Sequence, residues 1–405
     1  MKILTQNTLW RMWQNRSLFS QIILAGLVWV LASSCHRKNT SQVSSIMGMM
    51  QSSGKTWVKL AELDAHALIP KDSVITGSDG SFVFAISVDE PSFYQLTTPK
   101  SDPLTLVVKP GDKIVVEGNV DKLLWARIRG SDESILLQHY LQESRLRLDT
   151  AEYLVKRLTN NSSSPKFIIL RDSVSTALEE LYQRHRNFTI QFIQDHPGTF
   201  AGLIAINQPF GRRSLFDPYT DRHLFLAFDS SLMRNYPQSK HTLLFHQRIT
   251  EMQKAEAIKN LRLENLKPGK PIPEFRIPSL IEGQWVSPAQ FKGKPLLIVF
   301  WEPAEGKQVQ KLMQLHKKLR LVKQEKEVLC IAFDTQSARW QNAVKNAGLR
   351  DWHHGSDLRG TASPVYELFF PDNRPRPHFI LSDAKGTILI TSADQDAILK
   401  AIKNQ

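Results

Sequence analysis

The stretch PLLIVFW at residues 295–301 decides the fold of the region around it, because it is an uninterrupted apolar run without a charge. Such a run predicts a strand buried on both faces. Helical spacing follows through residues 311–321, and the apolar run at residues 328–333 predicts a second buried strand. Buried strands that alternate with helices indicate parallel βαβ units, in which chemistry usually takes place at the carboxyl ends of the strands. The loop after Trp301 is therefore the first candidate site.

Further short segments lie on either side of this run in a fixed order along the chain. They occupy residues 269–275, 291–295, 300–301, 332–334, 356–360 and 377–381, together with Trp340. As a set, they resemble the thioredoxin-like TlpA and redoxin (AhpC/TSA) group. The resemblance covers about residues 266 to 400 and implies an α/β thioredoxin-like domain over residues 266–405.

The resemblance also implies a pair of thiols, in a Trp-Cys-x-x-Cys segment directly after the first buried strand. Here residues 302–308 read EPAEGKQ, which puts Glu305 at the attacking position and Gln308 at the resolving one. Neither side chain can form a mixed disulfide, so we expect the redox reaction to be lost. A carboxylate at Glu305 could instead be a new catalytic group, or could simply cap the following helix by interacting with its dipole.

Only two cysteines are present in the whole chain, Cys35 and Cys330. Cys330 lies within the second apolar run, where a free cysteine behaves as a small hydrophobic side chain whose thiol has a raised pKa. We therefore expect Cys330 to fill a core and not to replace the missing thiols.

Pro377 matches the proline that is cis in this family and that faces the active-site loop. The resemblance implies that the backbone of the preceding residue, Arg376, is exposed to an extended peptide. Trp301, Arg376 and Pro377 are thus possible peptide-binding residues, although Pro377 could merely preserve a turn. Adjacent His353 and His354 have no further ligand at metal-binding spacing, so we expect neither a metal nor another cofactor.

The first half of the chain has a different pattern, in which short β-rich segments alternate with turn residues. The segments occupy residues 57–60, 68–75, 81–88, 93–97, 104–108 and 113–117. They predict a β-sandwich or barrel-like domain over residues 54–125. This part resembles a β-rich domain of unknown function that commonly precedes TlpA-type domains in lipoproteins. Helical spacing then predicts a helical module over residues 126–265, and the KPGKP stretch at residues 267–271 predicts a domain boundary.

The N-terminus has the layout of a secretory signal, with three basic residues and no acid before an apolar run at residues 22–32. Its small residues before Cys35 resemble a lipobox, which implies cleavage after residue 34 and acylation of Cys35. A signal-anchor helix and a free thiol are the alternatives. We expect residues 35–53 to form a linker. The resulting protein would be held in a bacterial cell envelope by membrane lipid, facing the periplasm or the surface.

Removal of residues 1–34 lowers the formal net charge from +13 to +10. The basic residues are interleaved with acids, which indicates a solvated surface, and we expect no nucleic acid as a partner. The leading hypothesis is a membrane-anchored envelope protein whose degenerate thioredoxin-like domain binds or scaffolds an envelope protein or an extended peptide. The alternative is a thiol-disulfide oxidoreductase or a peroxiredoxin-like accessory protein of envelope redox homeostasis.

Overall fold

The computed structural model describes residues 42–51, 54–64 and 67–404. The predicted signal sequence at residues 1–34 and the predicted acylation of Cys35 lie outside the described residues. The chain divides into two compact units, the first ending at Ile249 and the second beginning at Thr250. Within the described ranges, no helix is both long enough and apolar enough to cross a bilayer.

The first unit begins with eight strands. They are β1 (Gln42–Gln51), β2 (Trp57–Leu63), β3 (Leu68–Ile75), β4 (Ser81–Val88), β5 (Ser92–Thr97), β6 (Leu104–Val108), β7 (Lys113–Asn119) and β8 (Arg127–Arg129). One sheet has the order β4-β1-β7-β8 and the other the order β3-β2-β5-β6. Buried side chains from both sheets form one apolar cluster, which includes Ile46, Leu60 and Leu106. The six segments predicted from the sequence are confirmed as β2 to β7.

One boundary predicted from the sequence is wrong, because most of the expected linker at residues 35–53 is the strand β1. This strand pairs in antiparallel fashion with β4 and in parallel with β7, so it is a central strand of its sheet. Its inward positions include Ser44 and Gly48, which carry no apolar signal. The Ser44 hydroxyl donates to the Lys109 carbonyl oxygen at 2.9 Å. A Cβ at Gly48 would lie 2.3 Å from the ring of Phe82, so glycine is required by the packing.

The helices follow the strands in the first unit. They are α1 (Asp132–Asn160), α2 (Phe167–Asp195), α3 (Phe200–Asn207), α4 (Arg222–Asn235) and α5 (Lys240–Asn265), with a small hairpin of β9 (Pro209–Phe210) and β10 (Arg213–Ser214) and a 3-10 turn at Leu123–Trp125. Ser131 and Thr199 cap α1 and α3 by accepting hydrogen bonds from backbone N–H groups. The division between the two units falls within α5.

The second unit contains a mixed five-stranded sheet and a small hairpin. Its strands are β11 (Ile277–Pro278), β12 (Trp285–Val286), β13 (Leu296–Trp301), β14 (Glu327–Ala332), β15 (His353–Gly355), β16 (His378–Ser382) and β17 (Ile388–Ser392). The sheet order is β15-β14-β13-β16-β17. Strands β13, β14 and β15 are parallel, which confirms the predicted βαβ unit, whereas β16 and β17 are antiparallel.

Helices cover this sheet. They are α6 (Gly306–Leu319), α7 (Ser337–Asn346), α8 (Pro364–Phe369) and α9 (Gln395–Lys403), with 3-10 turns at Pro288–Phe291 and Gly360–Ala362. All six residues of β13 are buried, so the predicted burial on both faces is confirmed. Trp301 packs in one cluster with Leu312 of α6. Phe300 packs on the opposite side, with its ring 4.7 Å from that of Phe369.

Candidate functional site

The loop after β13 is only four residues long and leads directly into α6. The Glu305 N–H donates to the Glu302 carbonyl oxygen at 3.0 Å, and the Gln308 N–H donates to the Glu305 carbonyl oxygen at 2.8 Å. These bonds form the tight turn that starts the helix. The positions that match the two missing thiols, Glu305 and Gln308, therefore lie at the first turn of α6, at the carboxyl end of the central strand.

Glu305 occupies the cap position of α6 with its backbone, but its carboxylate accepts no capping hydrogen bond. The side chain therefore forms no capping hydrogen bond, and an interaction of the carboxylate with the helix dipole stays a prediction. The residue is exposed, and its carboxylate has no partner among the described residues.

Gln308, in contrast, is held by the loop before it. Its Oε1 accepts a hydrogen bond from the Glu302 N–H at 2.9 Å, and its Nε2 lies 3.4 Å from Glu302 Oε2. The side chain therefore bridges the backbone and the carboxylate of the same residue. At the position where the resemblance implies the resolving thiol, the chain thus has an amide that forms hydrogen bonds with the preceding loop.

Glu302 also forms an ion pair with Arg376, the residue before Pro377. Arg376 Nε lies 2.7 Å from Glu302 Oε1, and about a fifth of each side chain is exposed. Arg376 Nη1 donates to the Tyr366 hydroxyl at 2.9 Å, and the guanidinium lies 5.1 Å from the centre of the Tyr366 ring. Partial burial and the aromatic contact make this pair stronger than an exposed one. We call Gln308, Glu302, Arg376 and Tyr366 the polar bridge.

The peptide bond between Arg376 and Pro377 is cis, as the resemblance implied. Pro377 is buried, and Arg376 is half-buried. The Arg376 guanidinium group donates the hydrogen bonds to Glu302 and Tyr366. The expectation for Trp301 is wrong, because its side chain is completely buried and cannot contact a peptide.

His378 follows the cis proline, is the first residue of β16 and is buried. Its Nε2 lies 2.8 Å from the Thr391 hydroxyl. Burial, followed by the nearby charge of Arg374, lowers the pKa of His378 to about 4. The ring is therefore neutral near pH 7 and adds no charge to the polar bridge.

Cys330 lies in the middle of β14 and is completely buried. Burial raises the pKa of its thiol well above the ordinary value, because the thiolate would be desolvated. The prediction that Cys330 fills the core is confirmed. A buried neutral thiol is a poor nucleophile, so this residue cannot perform the exchange that Glu305 and Gln308 cannot perform.

Sequence reasoning missed two members of the polar bridge, Glu302 and Tyr366. A carboxylate directly after a buried strand and an arginine directly before a proline are each a weak signal. Only their combination, in two loops that the fold brings together, indicates an ion pair. The assembled site offers charged groups and a phenol, and within the described residues it contains no thiol.

No protein-family model and no curated protein sequence matches the chain. Among solved structures, the C-terminal domain of a protein from Bacteroides thetaiotaomicron, assigned as a thiol-disulfide oxidoreductase, is 28% identical and covers 35% of this chain and 96% of that domain, with a TM-score of 0.31. A thiol-disulfide oxidoreductase from Bacteroides fragilis is 24% identical over 33% of this chain and 98% of its own, with a TM-score of 0.30. A secreted disulfide oxidoreductase from Mycobacterium tuberculosis is 18% identical over 32% and 96%, with a TM-score of 0.28. Over about a third of its length, the chain is thus similar to the thioredoxin-like domains of bacterial thiol-disulfide oxidoreductases.

Proposed function

We propose that the protein is a lipid-anchored component of a bacterial cell envelope whose thioredoxin-like domain binds a partner without redox chemistry. The observation that carries this proposal is the polar bridge. The amide of Gln308 takes the position where a dithiol protein would have its resolving thiol. The ion pair between Glu302 and Arg376 lies beside that position. A site that exchanges disulfides needs a thiolate that can attack and a second thiol that can release the product. Neither is available at positions 305 and 308.

The partner that suits this site is an extended segment of an envelope protein. The backbone of Arg376, next to the cis Pro377, can pair with such a segment as a neighbouring strand would. The exposed carboxylate of Glu305 and the half-buried guanidinium of Arg376 lie on the two loops that would flank the segment. Charges of both signs at the rim favour selection of a partner by its charge pattern rather than by a thiol.

The redox part of the proposal is tested by insulin reduction with dithiothreitol as the electron source. We expect the purified protein to leave the rate at the level of the reagent alone, because its buried Cys330 thiol cannot reach a substrate. The Cys330→Ser chain is the matched control and should behave identically. Turnover that disappears in Cys330→Ser would overturn the redox-silent assignment.

The binding part has its own readout, which does not depend on redox activity. A photo-crosslinking amino acid in place of Glu305 is expected to capture an envelope protein in intact cells. The same amino acid in place of Trp285, which is 45% exposed in the same unit, serves as the control for nonspecific capture. Equal capture at both positions, or none at position 305, would contradict a binding role for this site.

The proposed anchor is tested by the intact mass of the protein after expression in a bacterial host that processes lipoproteins. We expect the loss of residues 1–34 and the addition of acyl chains at Cys35. Acyl chains bind membranes with about 0.8 kcal/mol per buried CH₂, so the processed protein should remain with the membrane fraction. A mass that retains residues 1–34, or an unmodified Cys35, would refute the anchor.

A further inference from the structure

The sheet β4-β1-β7-β8 has exposed apolar side chains on its outer face. Val43 and Met49 on β1 are 70% and 57% exposed, and Val83 on β4 is 59% exposed. Met47 lies between them, opposite Val83 on one side and Val115 on the other. We call these five residues the apolar face. Met47, Met49, Val83 and Val115 adjoin across the strands or along β1 and form one patch. Val43 lies on the same face beyond Ser45, opposite Ser87.

The inner face of the same sheet already supplies the core. Ile46, Phe84 and Ile114 point inward and are at most 1% exposed. The apolar face is therefore not needed for the internal packing of the unit. A continuous apolar patch on a sheet face marks an interaction site more often than isolated exposed residues do.

Cations border the apolar face on the strands beside it. Lys113 lies opposite Ser45, and Arg129 lies opposite Val115. Arg127 lies next to them and opposite Glu117 on β7. Glu117 forms an ion pair with Arg129, so it balances only one of the three cations. The border of the apolar face is therefore net positive, which suits a negatively charged surface.

The position of this face along the chain indicates which surface it meets. Strand β1 begins at Gln42, seven residues after Cys35. Seven extended residues reach at most about 25 Å, so an acylated Cys35 would keep β1 close to the lipid headgroups. The intervening residues include Arg37 and Lys38, which carry further positive charge. A short tether raises the local concentration of the face at the membrane and makes even weak docking effective.

We propose that the apolar face docks on an anionic lipid surface. This proposal rests on the proposed lipid anchor, which supplies the proximity. The apolar side chains enter the interfacial region, while Lys113 and Arg127 interact with anionic headgroups, each contributing attraction that salt weakens. The docked sheet fixes the orientation of the first unit on the membrane.

The test separates docking from anchoring by removing the acyl chains. The mature chain, residues 35–405 with Cys35→Ser, is mixed with vesicles of phosphatidylglycerol and phosphatidylcholine, and with vesicles of phosphatidylcholine alone. We expect sedimentation with the anionic vesicles and less with the neutral ones. Replacing Val43, Met49 and Val83 by serine should lower the partition coefficient by roughly tenfold or more, since the buried apolar area is lost.

Two further variants make the result specific. Lys113→Gln with Arg127→Gln keeps the apolar face and should lose the preference for anionic vesicles. A control replaces exposed apolar residues of the helices by serine and should bind unchanged. Its positions are Val155, Ile168 and Ile169, which are 49%, 62% and 72% exposed. Far-ultraviolet circular dichroism of each variant confirms that it is folded.

Several outcomes would overturn the proposal. Binding that is unchanged when Val43, Met49 and Val83 become serine would exclude the apolar face. A stable dimer that dissociates in the same variant, without vesicle binding, would show that a second copy or another protein covers this face. Because these experiments use Cys35→Ser, they succeed or fail independently of the intact-mass test of the anchor.

Discussion

A chain that carries both Glu305→Cys and Gln308→Cys is expected to form a disulfide between the new residues and to reduce insulin, from a background of no turnover. Position 305 is at the start of α6, where unpaired N–H groups stabilise an anion. Thiols at helix N-termini have pKa values of about 3.5 to 7.5, low enough for a reactive thiolate near pH 7. The strand and the helix that position such a pair are both present. Insulin turbidity and intact mass under oxidising conditions measure the gain.

The matched control is Glu305→Ser with Gln308→Ser, which removes the same side chains and adds no thiol. It should show no turnover. A second control, Glu305→Cys alone, should form mixed disulfides but fail to release them, because the resolving thiol is absent. If the double-cysteine chain shows neither the internal disulfide nor turnover, the positions of Glu305 and Gln308 do not correspond to the thiol positions.

The replacement Trp301→Ala is expected to destabilise the second unit by about 3 to 5 kcal/mol, which is the cost of removing a large buried aromatic side chain. Trp301 is completely buried at the end of the central strand, in one cluster with Leu312 and Leu315 of α6. Its loss leaves a cavity between the sheet and the helix that carries Glu305. Urea unfolding followed by far-ultraviolet circular dichroism measures the change in the free energy of unfolding.

The control for that measurement is Trp285→Ala in the same unit, where the side chain is 45% exposed. Surface replacements of this kind usually change stability by about 0.5 kcal/mol or less. Similar losses for the two variants would contradict the central packing role assigned to Trp301. A large loss confined to Trp301→Ala would confirm it.

The sequence alone was sufficient for elements whose signal is local. The run at residues 295–301 predicts β13 because every side chain in it is apolar, and the structure buries all six residues of the strand. Strand β1 could not be predicted in this way. Its inward Ser44 forms a hydrogen bond with the Lys109 carbonyl, and its inward Gly48 leaves room for the ring of Phe82. Both partners are distant in sequence. The suitability of Ser44 and Gly48 for a core strand is visible only after the chain has folded.

The same distinction applies to the site. The resemblance to the thioredoxin-like group implies the positions of Glu305 and Gln308, because its Trp-Cys-x-x-Cys segment falls on residues 302–308. The partner of Glu302 is 74 residues away in the sequence, and nothing local points from one to the other. Trp301 was expected among the possible peptide-binding residues, but its ring is completely buried in the core. The sequence therefore indicates where the two thiols are missing. The ion pair between Glu302 and Arg376 is visible only in the folded structure.

The central place of β1 has a mechanical consequence. A pull on the N-terminal end of this strand acts along two hydrogen-bonded ladders at once, one shared with β4 and the other with β7. Both ladders are loaded in shear, so the hydrogen bonds of both must break together. An edge strand would be held by the hydrogen bonds of a single ladder only. The segment that leads toward Cys35 thus enters the fold at a position suited to bearing tension.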